Sequence, residues 1–217
     1  MKPQSPIPLV LFAVGLLGQS LRGEALVLDA EAQTALTPDA VLENPLAGNE
    51  RYVRGELTLY ESVPEQIAAT AGGQFPQAII LSCVDSRVPV EMVFDQRIGD
   101  VFVARVAGNV ENVDILGSME FATAAAGSKL VMVLGHQACG AVKGACDHVQ
   151  LGNLTALLEK IRPSVVAVQH EFPAEARHSG NPAFVDRVVR ANIRRTVEDI
   201  RRDSPLLAEL EARGNGT

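Results

Sequence analysis

Tryptophan is absent from this chain, and Trp, Tyr and Phe together make up only 4% of it, which excludes a platform for stacking nucleic-acid bases. Excess positive charge is missing too. The 19 Lys and Arg stand against 26 Asp and Glu, for a formal net charge of -7, so no broad attraction to nucleic acid or anionic lipid is expected. Cysteine is scarce, with 3 in 217 residues, whereas exported disulfide frameworks place more cysteines in shorter chains. Cys139 and Cys146 are seven positions apart, about 10 Å along a helix and beyond the ~7 Å limit for a bridge. Cys146 reads as a buried apolar residue and metal ligation as the better use of the other two. No internal repeat or low-complexity segment is visible.

A hydrophobic content of 47% in 217 residues supports one substantial core, so a single domain over 26–217 is expected. It is preceded by "MKPQSPIPLVLFAVGLLGQSLRGEALVLDA". Lys2, the apolar stretch from Ile7 to Gly18 and the small residues Gly23 and Ala25 give residues 1–25 the form of a cleaved export signal. The mature chain is then expected to start near Leu26, to be periplasmic or secreted, and to keep no stable membrane span, since the apolar stretch is shorter than the ~20 residues a crossing needs.

"TPDAVLENPLAGNERYVRGE" predicts an N-terminal helical arm starting at Thr37-Pro38, and "SVPEQIAATAGG" a second helix stopped by Gly72-Gly73. Then the pattern changes. "QAIILSCV", "DVFVARVAG" and "KLVMVLGH" are short, nearly continuous apolar runs, as in parallel strands buried on both faces. The Ala-rich "ILGSMEFATAAAG" between the last two predicts a crossover helix, and the alternation an α/β fold with a parallel-core sheet flanked by helices. "NLTALLEKI" predicts a helix that Pro163 interrupts or kinks. "NPAFVDRVVRANIRRTVEDIRRD" predicts a long amphipathic helix with Val185, Val189, Ile193, Val197 and Ile200 as its apolar stripe. Its six arginines, interleaved with acids, read as a solvated face rather than a nucleic-acid surface.

The chemistry gathers where two apolar runs end. In "CVDSRV" alternate side chains point the same way, so Cys83, Asp85 and Arg87 converge on one side. In "GHQACGAV" His136 and Cys139 are three apart, where a helix start would help hold Cys139 as a thiolate. Open parallel sheets place their sites at the carboxyl ends of strands, so the two clusters meet. Two thiolates and an imidazole suit Zn2+, and three protein ligands with an open fourth position are what a catalytic zinc requires. Asp85 either fills that position or stands beside it.

With "CVDSRVPVEMVFDQRIGDVFVARVAGNV", "LGSMEFATAAAGSKLVMVLGHQACGAV" and "GNLTALLEKIRP" in view, the sequence from about Leu42 to Arg213 resembles the β-class carbonic anhydrases. The resemblance implies Cys83, His136 and Cys139 as zinc ligands, with Asp85 and Arg87 as the paired dyad beside the metal's water. It further implies Gln74 as a hydrogen-bond donor to bicarbonate, and Phe102 and Phe121 as lining of an apolar carbon dioxide pocket. Some relatives carry a Trp three residues before the first Cys, as part of a bicarbonate inhibition site. Ile80 stands there, so a non-allosteric member is expected. Family members normally continue into one further strand that commonly serves the sheet and the oligomer contact, so this chain is expected to be C-terminally short. A homodimer or larger assembly is implied, with carbon dioxide and bicarbonate as the small-molecule partners. Carbonyl sulfide and carbon disulfide hydrolases share this fold and ligand set, and a non-catalytic exported zinc module with Asp85 capping the metal is the rival of a different class. His148 and His170 are candidates for proton export by titration range alone.

Overall fold

In the computed structural model, residues 27–214 are described. The expected export signal lies outside them. Among the described residues no helix is long and apolar enough to cross a membrane.

The chain opens with helices α1 (Ala30–Ala35), α2 (Pro38–Arg54) and α3 (Val63–Thr70). Asp29 caps α1 by accepting from the Ala32 N–H at 2.8 Å, and Thr37 caps α2 through the Ala40 N–H. Strand β1 (Ala78–Ser82), helix α4 (Val90–Val93) and strand β2 (Val101–Arg105) follow. After a 3₁₀ turn over Ala107–Asn109 comes α5 (Val113–Glu120), which widens into a π-helical turn, Phe121–Ala125, before strand β3 (Leu130–Leu134). Helices α6 (Gly140–Cys146), α7 (Gly152–Val168), α8 (Pro182–Asp203) and α9 (Pro205–Ala212) complete the described chain.

The three strands form a parallel sheet in the order β2-β1-β3, with Ser82 level with both Arg105 and Leu134. The expected burial on both faces holds for β1, which is buried throughout. β2 and β3 are its edges and are only partly covered. Side chains alternate across β1. Ile79 and Leu81 pack with Met119, Ala122, Ile200 and Leu207 on one face, while Ile80 packs with Val88, Val90, Val93 and Phe94 on the other. A third apolar cluster joins α6, α7 and α8 to Cys83 and Cys139, beyond the carboxyl ends of the strands.

Two helices depart from their sequence reading. Pro163 lies inside α7 and does not end it, with Ile161, Ser164, Val165 and Val168 around it buried. That packing offsets the ~3 kcal/mol an interior proline costs. In α8 the buried stripe is Phe184, Val185, Val188, Val189, Asn192, Thr196, Asp199 and Ile200, so polar Asn192 and Thr196 take core places while Ile193 and Val197 are only half-buried. The arginines behave as a solvated face does: Arg187 pairs with Glu171, Arg190 with Asp186, Arg195 with Asp199, Arg201 with Glu211 and Arg202 with Asp203.

The helical arm packs on its own chain. Gly48 of α2 lies so close to the end of α4 that a Cβ there would stand 1.7 Å from the Phe94 carbonyl oxygen. Backbone cannot yield as a flexible side chain does, so Gly48→Ala is expected to destabilise the fold by about 3 kcal/mol or more. Chemical denaturation reads this, and an unchanged midpoint would show that α2 is not held at this contact.

Candidate metal centre

Cys83 follows the last residue of β1 and His136 lies two residues beyond the end of β3. Because Ser82 and Leu134 are level, both leave the sheet side by side. Cys139 is the N-cap residue of α6. The three side chains are buried, and one ligand atom from each lies within 4.8 Å of the others. The Cys83 and Cys139 sulfurs are 3.9 Å apart and all three cysteines are free. Two thiolates on one tetrahedral zinc, each at ~2.3 Å, stand about 3.8 Å apart. The spacing is therefore that of shared ligands and not of a disulfide.

The imidazole shows the same fit. His136 Nδ1 faces the Gln137 carbonyl oxygen at 3.0 Å. A carbonyl only accepts, so Nδ1 carries a proton, and in the neutral ring a metal ligand must be, Nε2 presents a bare lone pair. Nε2 is buried without a hydrogen-bond partner, and at 3.8 Å the Asp85 carboxylate oxygen is too far to supply one. An orphaned buried nitrogen beside two buried sulfurs suits a soft divalent metal.

The loop holding this group is strained locally. Ala138, between His136 and Cys139, has φ +54, and Asn109, in the turn beyond β2, has φ +46. Both are left-handed conformations that a side chain disfavours, and such residues gather where a site over-determines its backbone.

The two thiols are electrostatically unequal. The hydrogen bond from Cys139, with further help from His136 and the Gly108 and Asp85 amides, brings Cys83 down to about 4. The same interaction with Cys83, together with burial, pushes Cys139 up, although the Val142 and Ala141 amides at the start of α6 oppose it. The two sulfurs thus share one interaction, and the amides at the start of α6 favour the thiolate at Cys139 against its burial. Cys146 is buried away from this chemistry, and burial pushes its thiol up to about 11.

Asp85 and Arg87 form the pair expected of them. Asp85 Oδ1 accepts from Arg87 Nε at 2.8 Å and from the Arg87 backbone N–H at 3.0 Å, and Oδ2 accepts from Nη2 at 2.7 Å. The guanidinium beside it holds the Asp85 carboxyl well below the usual carboxylate range. Asp85 is thus an ionised acceptor facing the ligand group, with both oxygens engaged by arginine.

The carboxyl ends of all three strands, the buried Cys-His-Cys group and the Asp-Arg pair make a site with a family likeness that can be tested directly. The sequence profile of the family described as carbonic anhydrase matches residues 78–217. This chain belongs to the β-class carbonic anhydrases. Among curated members, carbonic anhydrase 2 of Mycobacterium tuberculosis is 41% identical over 124 residues, 55% of this chain and 60% of the relative. The carbonic anhydrase of Pseudomonas aeruginosa is 26% identical over 166 residues, 74% of each chain. The chain thus spans about 60% of the length of the first curated relatives it matches. Among solved structures, the β-carbonic anhydrase CafA of Aspergillus fumigatus superposes with a TM-score of 0.63 at 27% identity, over 81% of this chain and 82% of that one. One of two tetrameric β-carbonic anhydrases from Sordaria macrospora gives 0.60 at 25% identity, over 81% and 86%.

The three residues that family resemblance alone supplied are not gathered at this candidate site within one chain. Gln74 is exposed in the loop before β1, at the opposite end of the strand from Cys83. Five strand residues at ~3.3 Å each place about 17 Å between those ends. Phe102 is level with Ile79, away from the ligand end of β2, and meets Phe121 edge-on with ring centroids 5.9 Å apart. Phe121 itself is 56% exposed on the π-helical turn.

Two supporting groups escaped the sequence reading. Arg105, the last residue of β2, donates through Nε to the Cys83 carbonyl oxygen at 2.9 Å and through Nη2 to the Asp85 carbonyl oxygen at 2.7 Å, clamping the loop that carries both. The Gly108 N–H points at the Cys83 sulfur at 3.3 Å. "RVAGN" contains both residues, but contacts made to backbone or by backbone leave no side-chain pattern to read.

Proposed function

We propose that this chain is a zinc enzyme that reversibly hydrates carbon dioxide to bicarbonate and a proton. The observation that carries the reading is the open set of three: buried Cys83, His136 and Cys139 with a bare Nε2, and a carboxylate beside them that arginine already occupies. Zinc bound there would act as a Lewis acid, which lowers the pKa of a coordinated water from 15.7 to about 7. The chain's part is to hold that chemistry open. Cys83, His136 and Cys139 would hold the ion, and the Gln137 carbonyl fixes the imidazole tautomer. Arg87 keeps Asp85 ionised and holds both its oxygens beside the ligand atoms, so that they serve as acceptors that orient a reacting water. A permanently capped zinc module would need Asp85 free to close the site, and the bidentate pair opposes that.

Self-association belongs to the same reading, supported by the tetrameric relatives from Sordaria macrospora. The bicarbonate role of Gln74 rests on it, since this residue is turned to the far end of its own sheet and would have to come from a second copy. The apolar lining by Phe102 and Phe121, and export to the periplasm or outside the cell, stay part of the proposal. His148 and His170 are exposed, and His148 contacts Arg162, so neither gains a proton-export role from the site's geometry.

Metal content and carbon dioxide hydration rate measured on the same purified chain test this. About one zinc per chain with hydration above background is the expected result, and hydration should exceed turnover of carbonyl sulfide or carbon disulfide assayed alongside. A zinc-loaded protein that leaves hydration at background would sink the proposal.

A further inference from the structure

Asn192 is the polar residue that α8 places deepest in the core, at 2% exposure. Its Nδ2 donates to the Gly108 carbonyl oxygen at 2.8 Å across 84 positions of sequence, and its Oδ1 accepts from the buried Ser164 hydroxyl of α7 at 3.4 Å. Gly108 is the residue whose N–H reaches the Cys83 sulfur at 3.3 Å. Its φ is +73, a left-handed conformation that favours glycine, and a Cβ there would also press on Ile161 Cδ1 at 2.5 Å. Glycine is also the residue type with the freest backbone, so something must fix the direction of its N–H. The amide of Asn192 does so from the carbonyl side: the N–H and C=O of one residue are linked through its φ and ψ, so pinning the carbonyl narrows where the N–H points.

We infer that Asn192 is a positioning residue for the metal ligand Cys83, acting through the Gly108 peptide. The inference rests on Cys83, His136 and Cys139 being the metal centre. Hydrogen bonds to a ligating atom orient it and tune its donation, and groups one step behind the ligands typically control 10–100-fold in metal affinity. Ser164 restrains the Asn192 side chain from behind, and so connects α7 and α8 to one sulfur at the end of β1.

The test uses the full chain with Asn192→Leu, which keeps the bulk and removes the donor, and Asn192→Asp, which keeps the shape and sets an acceptor against the Gly108 carbonyl. Zinc affinity by chelator competition should fall about 10–100-fold in both, and in the cobalt(II)-substituted proteins the sulfur-to-metal charge-transfer band should move to longer wavelength as Cys83 loses its N–H donor. Ile200→Ala, on the same helix but in a different core cluster, should lose stability and leave both readouts at wild-type values. If Ile200→Ala moves affinity and band as the Asn192 variants do, the effect is general loosening and the inference fails. Unchanged affinity and band in Asn192→Leu or Asn192→Asp also overturns it. Amide exchange in the metal-free wild-type chain gives a reading that needs no variant to fold: the Gly108 N–H should be protected, and exchange at an open-loop rate would overturn the link. A wild-type chain that takes up no metal at all would remove the metal centre itself, an outcome distinct from an Asn192 variant that binds as the wild type does.

Discussion

Replacing Cys139 with alanine is expected to remove zinc and hydration activity together while α6 and the sheet stay folded. Cys139 is the N-cap residue of α6 but makes no side-chain capping bond, so truncation takes nothing from the helix start. Its side chain is 1% exposed, and the small void left behind should keep the stability loss within the ~0.5–3 kcal/mol usual for a point substitution. The metal is more sensitive. Two protein ligands, Cys83 and His136, would remain of three, and structural or catalytic zinc is held by three or four. Zinc per chain by elemental analysis, hydration rate and far-ultraviolet circular dichroism, measured on one preparation, check this. Full zinc with full activity in Cys139→Ala would disprove the assignment. Cys146→Ala is the matching control: it removes a thiol of similar burial from the other end of α6, and zinc content should not change.

The residues gathered at the candidate metal centre were legible in the sequence because each lies at the end of an apolar run. Strand direction and the alternation of side chains then suffice to bring Cys83 and Asp85 to one place, and parallel pairing brings His136 beside them. The strands β1, β2 and β3 and the helix α8 were legible for the same reason, a short-range pattern with a clear period. Contacts across long sequence separations left no such trace. Arg105 supports Cys83 and Asp85 through their carbonyl oxygens, and the Gly108 N–H, aimed at sulfur, has no residue type to advertise it. In α8 the hydrophobic residues predicted the wrong edge of the buried stripe, because Asn192 and Thr196 occupy core positions, Asn192 with hydrogen-bond partners far along the chain. The proline of α7 misled in the opposite direction, since tertiary burial outweighed a local preference. Gln74 is different again: its place in the sequence, nine residues before Cys83, conceals that a whole strand length separates them.

Arg87→Ala is expected to keep its zinc and lose turnover, which separates the dyad from the ligands. In the wild-type chain both Asp85 oxygens accept from the guanidinium, with Oδ1 also taking the Arg87 backbone N–H, and Oδ2 stands 3.8 Å from His136 Nε2. Asp85 is thus already next to a ligand atom, and a carboxylate is itself a zinc ligand. The arginine competes with the metal for it through two parallel charge-assisted bonds. Removing the side chain leaves the loop in place, since Arg105 still holds the Cys83 and Asp85 carbonyl oxygens. The backbone N–H of residue 87 still holds Oδ1, and Oδ2, the oxygen facing His136, is released. It should then close on the metal as a fourth ligand, raising zinc retention while taking the place the reaction needs, and hydration should fall on the order of 100-fold or more, the scale on which positioned acid–base groups contribute. Arg87 has a largely exposed side chain, so the fold should barely notice its loss. Arg87→Lys should recover little, because an ammonium is a point charge and cannot make the two-pronged contact. Zinc content, hydration rate and X-ray absorption at the zinc edge, read on the same sample, decide the case: full zinc with full activity would remove the gating role from Arg87, and an unchanged ligand shell with activity lost would mean that Asp85 acts as an acceptor only, never as a competing ligand.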